Sequence, residues 1–258
     1  MADRFPERVP TLSTGSHVTS VRMVQRSDRG RVRSTNEDSV LCSTDPSGRR
    51  GALMIVADGM GGASAGEVAS RLAVESVEEV YLASQDEPAE ALRQSVLEAN
   101  RRIQEAARKE AVNAGMGTTC SALAIVAGTA SLAHVGDSRI YRAANGAVER
   151  LTRVHSVWAD EVTRRGAPPS RRVGQNMLTR ALGVADDLEV DVATGIDAPL
   201  RSRFLLCSDG LWGLVSDPEL AEALDLPSLE DSCDWLVATA NQRGGHDNIS
   251  VILAEVGG

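Results

Sequence analysis

The sequence predicts an α+β layered sandwich with largely antiparallel strands, on three observations: many short apolar runs, a hairpin turn dipeptide between two of them, and amphipathic helices in adjacent pairs. The runs that read as strands are Val18–Gln25, Ser39–Cys42, Ala52–Ala57, Cys120–Val126, Ala130–Val135, Arg139–Ala143 and Val148–Leu151, followed by Leu188–Val192, Arg203–Cys207 and Ile249–Val256. Asn145-Gly146 suits the left-handed backbone of a tight hairpin. Between the third and fourth runs, Ala69, Ala73, Val77, Val80 and Tyr81 recur at helical spacing. Leu92, Val96, Ala99, Ile103 and Ala106 repeat the pattern after a break at Glu87-Pro88. Near the C-terminus, Ser216-Asp217-Pro218-Glu219 reads as a capped helix start with proline in the first turn. Ser228 caps a further helix whose face carries Leu229, Cys233, Leu236, Val237 and Ala240. The stretch Val154–Asn176 breaks these patterns with Gly166, Pro168, Pro169 and several arginines, and reads as a mobile surface lobe.

Neither a repeat nor an interdomain linker stands out, so one domain over 18–258 is expected, behind a flexible leader over 1–17. The leader lacks the apolar core of a secretory signal, and no apolar run is long enough to span a membrane. A net charge of −9 argues against non-specific binding to nucleic acid or anionic membranes. Four scattered cysteines without a C-x-x-C pair argue against a zinc site or disulfide framework and point to a reducing cytoplasm. Nothing demands more than a monomer.

Chemistry concentrates in aspartates at strand ends. Apolar runs stop at Asp58-Gly59, at Asp137 after Gly136, and at Asp209-Gly210, while Asp247-Asn248 opens the last strand and Glu37-Asp38 opens an early one. Any one such aspartate is most often a turn former. Several at the lips of core strands suggest a shared site on rigid supports. Packed carboxylates repel unless a cation compensates, and hard oxygen donors without a His–Cys set select Mg²⁺ or Mn²⁺. Two such ions would hold and activate a water aimed at phosphorus. Arg33, just upstream of Glu37, is placed in sequence for a bidentate phosphate contact. The run Gly59-Met60-Gly61-Gly62 lacks the lysine and spacing of a nucleotide loop and reads as a turn that presents Asp58 and the Gly59 carbonyl. His134 reads as structural; His155 and His246 lie near acidic segments, where either could touch a substrate, but a lone histidine is more often a hydrogen-bonded structural residue.

In order along the chain stand Arg33-Ser34-Thr35-Asn36-Glu37-Asp38-Ser39, Asp58-Gly59-Met60-Gly61-Gly62, Gly117-Thr118-Thr119, Val135-Gly136-Asp137-Ser138-Arg139, Leu178-Thr179-Arg180-Ala181-Leu182-Gly183, Ser208-Asp209-Gly210-Leu211 and Asp247-Asn248-Ile249-Ser250. Together they make the chain resemble a bacterial member of the metal-dependent protein phosphatase family of type 2C, from about Val18 to Val256. The resemblance implies a four-layer α-β-β-α sandwich, two central antiparallel sheets flanked by helix pairs. It implies hydrolysis of phosphoserine and phosphothreonine in proteins by a metal-bridging hydroxide, reversing Ser/Thr kinase signalling, with a eukaryotic-like Ser/Thr kinase as the opposing enzyme. By motif, Asp58 would bridge two Mn²⁺ or Mg²⁺ ions and the Gly59 carbonyl would bind one. Asp209 and Asp247 would complete the first site, Glu37 and Asp38 would act at the second, largely through waters, Asp137 would serve a weaker third ion with Asp209, and Arg33 would hold the phosphate. The irregular lobe falls where the family carries its flap, about 154–177. Departures are Ala63, where bacterial relatives have His, Val154, where they have Asp, and a slightly short flap. Met60 stands where animal relatives place a proposed general acid. The rival reading is a catalytically weak or inactive phosphoprotein-binding regulator on the same fold; hydrolysis of small phosphoesters is a third.

Overall fold

The computed structural model describes residues 20–61, 65–166, 174 and 177–257. The leader and Ala63 lie outside them, as does most of 167–176. Eleven strands are described: β1 Ser20–Asp28, β2 Asp38–Thr44, β3 Ala52–Met60, β4 Gly117–Thr118, β5 Cys120–Val126, β6 Thr129–Val135, β7 Arg139–Ala144, β8 Ala147–Arg150, β9 Asp191–Asp197, β10 Arg203–Cys207 and β11 Ile249–Gly257. The α-helices are α1 Ala65–Ala83, α2 Pro88–Lys109, α3 Val157–Arg165, α4 Asp209–Trp212, α5 Asp217–Leu224 and α6 Leu229–Gln242. Two antiparallel sheets form the centre. The first runs β1-β11-β10-β7-β8 and the second β2-β3-β5-β6-β9, with β4 paired to the end of β3.

The layering follows from side-chain alternation. In β3, Leu53, Ile55 and Ala57 pack beneath α1 and α2 with Val77, Tyr81, Leu92 and Ile103, while Met54 and Val56 meet Phe204, Leu206 and Ile252 of the facing sheet. A strand covered on both faces reads as a continuous apolar run, as this one does. On the far side, Leu205, Cys207, Val251 and Leu253 pack against Leu220, Cys233 and Leu236 of α5 and α6. The expected four-layer sandwich is therefore present, with α1 and α2 on one face and α5 and α6 on the other. Ser216 and Glu219 form the capping box that opens α5, and the Ser228 side chain accepts from Asp231 N at the start of α6.

Three expectations need correction. The strand expected at Leu188–Val192 lies at Asp191–Asp197; β9 is a half-exposed edge with a register shift opposite Ala130 and Leu132, so its apolar signal is weak. Leu188 instead packs into the core beneath α1 and α2. The lobe expected to be irregular contains α3, capped by Ser156 and ended by Gly166 in the left-handed conformation at φ 69°. It buries none of its residues fully, so it leaves no apolar stripe to read. Finally, β3 runs on through Met60, so Asp58 and Gly59 belong to a strand and not to a turn.

Candidate metal centre

The acidic residues meet at one end of the sandwich because adjacent strands deliver them there. Antiparallel register sets Asp38 opposite Asp58. Asp209 follows β10 and Asp247 precedes β11, neighbours in the other sheet. Asp137 lies on the crossing from β6 to β7. Arg33, Glu37, Asp58, Gly59, Asp137, Asp209 and Asp247 line one cavity of about 640 Å³. Asp38 does not line it; it lies buried behind, its Oδ2 accepting from Ser208 Oγ at 2.8 Å.

Local hydrogen bonds explain why several motif residues accompany the acids. Asp58 N donates to Thr119 Oγ1, Thr119 N donates to Asp58 O, and Thr118 Oγ1 donates to the same carbonyl, each at 2.9 Å. Gly59 N donates to Glu37 O at 3.1 Å. A Cβ on Gly59 would lie 2.1 Å from Gly66 O and 2.5 Å from Glu37 O, so the glycine admits the neighbouring backbone rather than a ligand. Asn248 joins the two sheets: its Oδ1 accepts from Glu37 N at 2.8 Å and its Nδ2 donates to Arg29 O and Thr35 O at 2.9 Å each. Ser208 Oγ also accepts from Ser250 N at 3.0 Å, and Trp212 Nε1 donates to Asp137 O at 3.0 Å.

Electrostatics favour a cation. Burial, opposed by hydroxyl donors and aggravated by the neighbouring aspartates, pushes Asp38 up to about 7. Burial and Asp209 push Asp137 up to about 7, and burial with Asp247 pushes Asp209 up to about 6. Asp58 is held well above the usual carboxylate range by burial and then by Asp38, Asp209, Asp137 and Asp247. Glu37 Oε1, Asp38 Oδ1 and Asp209 Oδ1 are buried without a hydrogen-bond partner. Among the described residues, no three His, Cys, Asp or Glu side chains are gathered tightly enough to hold one ion by themselves. Orphaned acid oxygens around an open cavity, beside an available backbone carbonyl, fit hard cations that keep several waters; they do not fit a closed structural zinc site. Arg33 donates to Asp247 Oδ2 at 2.7 Å and stands 4.0 Å from Glu37 Oε2, which raises its already high pKa, chiefly through the hydrogen bond.

The histidines divide. His134 is buried, with Nδ1 bonded to Ser121 Oγ at 2.8 Å and Nε2 to Arg153 O at 2.9 Å, and burial lowers it to about 3. His155 is also buried and does not line the acid cavity. Its Nδ1 accepts from Gly136 N at 3.1 Å and its Nε2 meets Asp191 Oδ2 at 3.1 Å, while Arg180 donates to Asp191 Oδ1 at 2.6 Å. The ring thus fastens the lead-in of α3 to the Gly136-Asp137 turn, and burial lowers its pKa despite Asp191. Of the described histidines, His246 is exposed beside the acids. Thr119, Ser208 and Asn248 are the site residues without an assigned role in the sequence reading; their only signal was membership of the ordered motifs.

A family model described as protein phosphatase 2C matches residues 28–253. The serine/threonine phosphatase stp of Listeria welshimeri is 36% identical over 241 residues, covering 89% of this chain and 94% of that protein. The serine/threonine protein phosphatase PstP of Mycobacterium tuberculosis is 34% identical over 241 residues, covering 92% of this chain and 45% of that protein. Among solved structures, the catalytic domain of PstP in complex with 2 manganese ions superposes with a TM-score of 0.82 at 33% identity, covering 93% of this chain and 100% of that one.

Proposed function

This chain belongs to the protein phosphatase 2C family, and on that premise we propose that it hydrolyses phosphoserine and phosphothreonine in proteins with the help of Mn²⁺ or Mg²⁺. The observation that carries the reading is the set of acids from both sheets facing one cavity beside Arg33, with buried oxygens lacking partners. Asp58, the Gly59 carbonyl, Asp209 and Asp247 would hold one ion, Asp58 with Glu37 a second, backed by Asp38 from behind the cavity and largely through waters, and Asp137 with Asp209 a weaker third. When bound, such ions supply Lewis acidity that activates water and neutralises phosphoryl charge.

The residues of the chain do the rest. Arg33 spends one described hydrogen bond on Asp247, and its remaining N–H groups are free to bind phosphoryl oxygens. Thr118 and Thr119 hold the Asp58 backbone, and the Asn248 bonds fix Glu37, so the acids are in place before substrate arrives. Water attacks phosphorus, the bond to the serine or threonine oxygen breaks, and the departing oxygen takes up a proton, which Met60 beside Asp58-Gly59 has no group to give.

We further propose that 18–258 forms one catalytic domain with its flap at about 154–177, that the protein acts as a monomer in the cytoplasm, and that it opposes a Ser/Thr kinase. Free Cys42, Cys120, Cys207 and Cys233 suit a reducing compartment, and no described helix is long and apolar enough to cross a membrane. The test is hydrolysis of an aryl phosphate and a phosphothreonine peptide with Mn²⁺, with and without chelator. Asp209→Ala should lower turnover at least about a thousandfold, as loss of an acid required for the metal site would. Full activity in chelator, or in that variant, would overturn the reading.

A further inference from the structure

A second groove, also of about 640 Å³, adjoins the acid cavity, and Asp209 and Asp247 line both. The groove lies between the lead-in and body of α3 on one side and the segment from α4 to Leu214 on the other. The chain holds only three tryptophans, and two of them, Trp158 and Trp212, line this groove. Arg139, Arg150 and Arg153 line it as well, in a protein of net charge −9. Among the described residues, the only carboxylates lining it are Asp209 and Asp247, which it shares with the acid cavity.

The cationic side is built, not incidental. The Arg139 guanidinium stacks 3.7 Å over the Trp212 ring, donates to Tyr141 Oη at 2.9 Å and pairs with Asp217 at 3.3 Å, so it holds the ring while Arg150 and Arg153 carry the outward charge. Trp212 is in turn pinned through its bond to Asp137 O. Arg150 is exposed and makes no ion pair among the described residues, while exposed Arg153 meets Asp160 at 2.6 Å. Trp158 Nε1 is a buried donor without a partner. Tryptophan and arginine together are the side chains that most often dominate peptide-binding surfaces.

We propose that this groove binds the substrate segment flanking the phosphoresidue, and that it selects segments carrying carboxylate side chains beside an apolar one. The inference rests on the phosphatase reading above: a phosphoresidue at the shared acids leaves its chain neighbours at the mouth of this groove. The tryptophan faces take the apolar side chain, and Arg150 and Arg153 take the carboxylates.

The experiment uses the Mn²⁺-loaded full chain and phosphothreonine peptides of one core sequence, with three Glu or three Lys placed before or after the phosphoresidue. On one side, the Glu peptide should be cleaved with a kcat/KM about fivefold to tenfold above its Lys counterpart, the size that two exposed charge pairs support. Arg150→Glu combined with Arg153→Glu should abolish or invert that ratio, and Trp158→Phe should lower kcat/KM for both peptides through KM. Aryl phosphate hydrolysis by each preparation confirms a loaded centre. Equal cleavage of Glu and Lys peptides on both sides, or a preference that survives the double charge reversal, overturns the groove alone. A wild-type protein that cleaves neither peptide nor aryl phosphate overturns the phosphatase reading, and this one with it.

Discussion

Asn248→Ala should weaken both the fold and the metal centre, and its cost can be worked from three bonds. The side chain is 4% exposed and gives or takes hydrogen bonds of 2.8, 2.9 and 2.9 Å with Glu37, Arg29 and Thr35. At about 1 kcal/mol net for each bond, the loss is about 3 kcal/mol, and the backbone groups left behind regain water only if the segment shifts. With a urea slope of about 2–3 kcal/mol per M for a chain of this size, the midpoint should fall by roughly 1 M in chelator. The same segment carries Arg33 and Glu37, so manganese titration by calorimetry should show weaker binding, and KM for an aryl phosphate should rise. A midpoint shift below about 0.3 M would refute the reasoning, since one buried and two part-buried bonds should together cost more than that. A full loss of stability with unchanged manganese affinity would show that the staple does not order the site.

Two further outcomes follow from packing and charge. In chelator, the contribution of the acids to stability should fall as pH rises from about 4 to about 7 and level off above that: Asp38 and Asp137 are raised to about 7 in the fold from about 3.8 unfolded, so the stability of their neutral forms is fully present below the unfolded value and lost by the time pH passes the folded one. Buried His134, lowered to about 3, and His155, also lowered by burial, work in the opposite sense over part of that range, while Asp209, raised to about 6, and Asp58, raised well above the usual range, add to the decline, so the acids outnumber the histidines and the net slope stays downward. Saturating Mn²⁺ should remove the decline, and a flat metal-free urea midpoint across that window would contradict it. Gly59→Ala would place a methyl 2.1 Å from Gly66 O, and the forced shift should cost about 1–3 kcal/mol and weaken manganese binding, read by thermal unfolding with and without the ion.

What could be read from residues alone divides along burial. Strands covered on both faces, such as β3 and β10, and helices with a full apolar stripe, such as α1 and α2, announced themselves because burial writes a period into sequence. β9 and α3 did not, because a half-exposed edge and a surface helix bury too little to impose one. The acids were legible from their place after core strands. Asn248, Ser208 and Thr119 were not, since each acts on backbone or side-chain atoms far away in sequence and nothing local marks that task. His155 follows the commoner course for a lone histidine: despite its proximity to acidic segments, burial turns its ring toward Gly136 and Asp191 as a structural hydrogen-bonding group.

Glu37, Asp38 and Asp58 ride on one sheet, and Asp209 and Asp247 on the other. An ion shared between them would act as a rivet across the sandwich, joining strands that have no backbone ladder in common. Such a rivet can close only after the sheets have docked, so it would stabilise the finished protein more than the folding transition state. Chelation should therefore speed unfolding while leaving the refolding rate nearly unchanged, and the lifetime of the folded protein in the cell would follow the local supply of free metal.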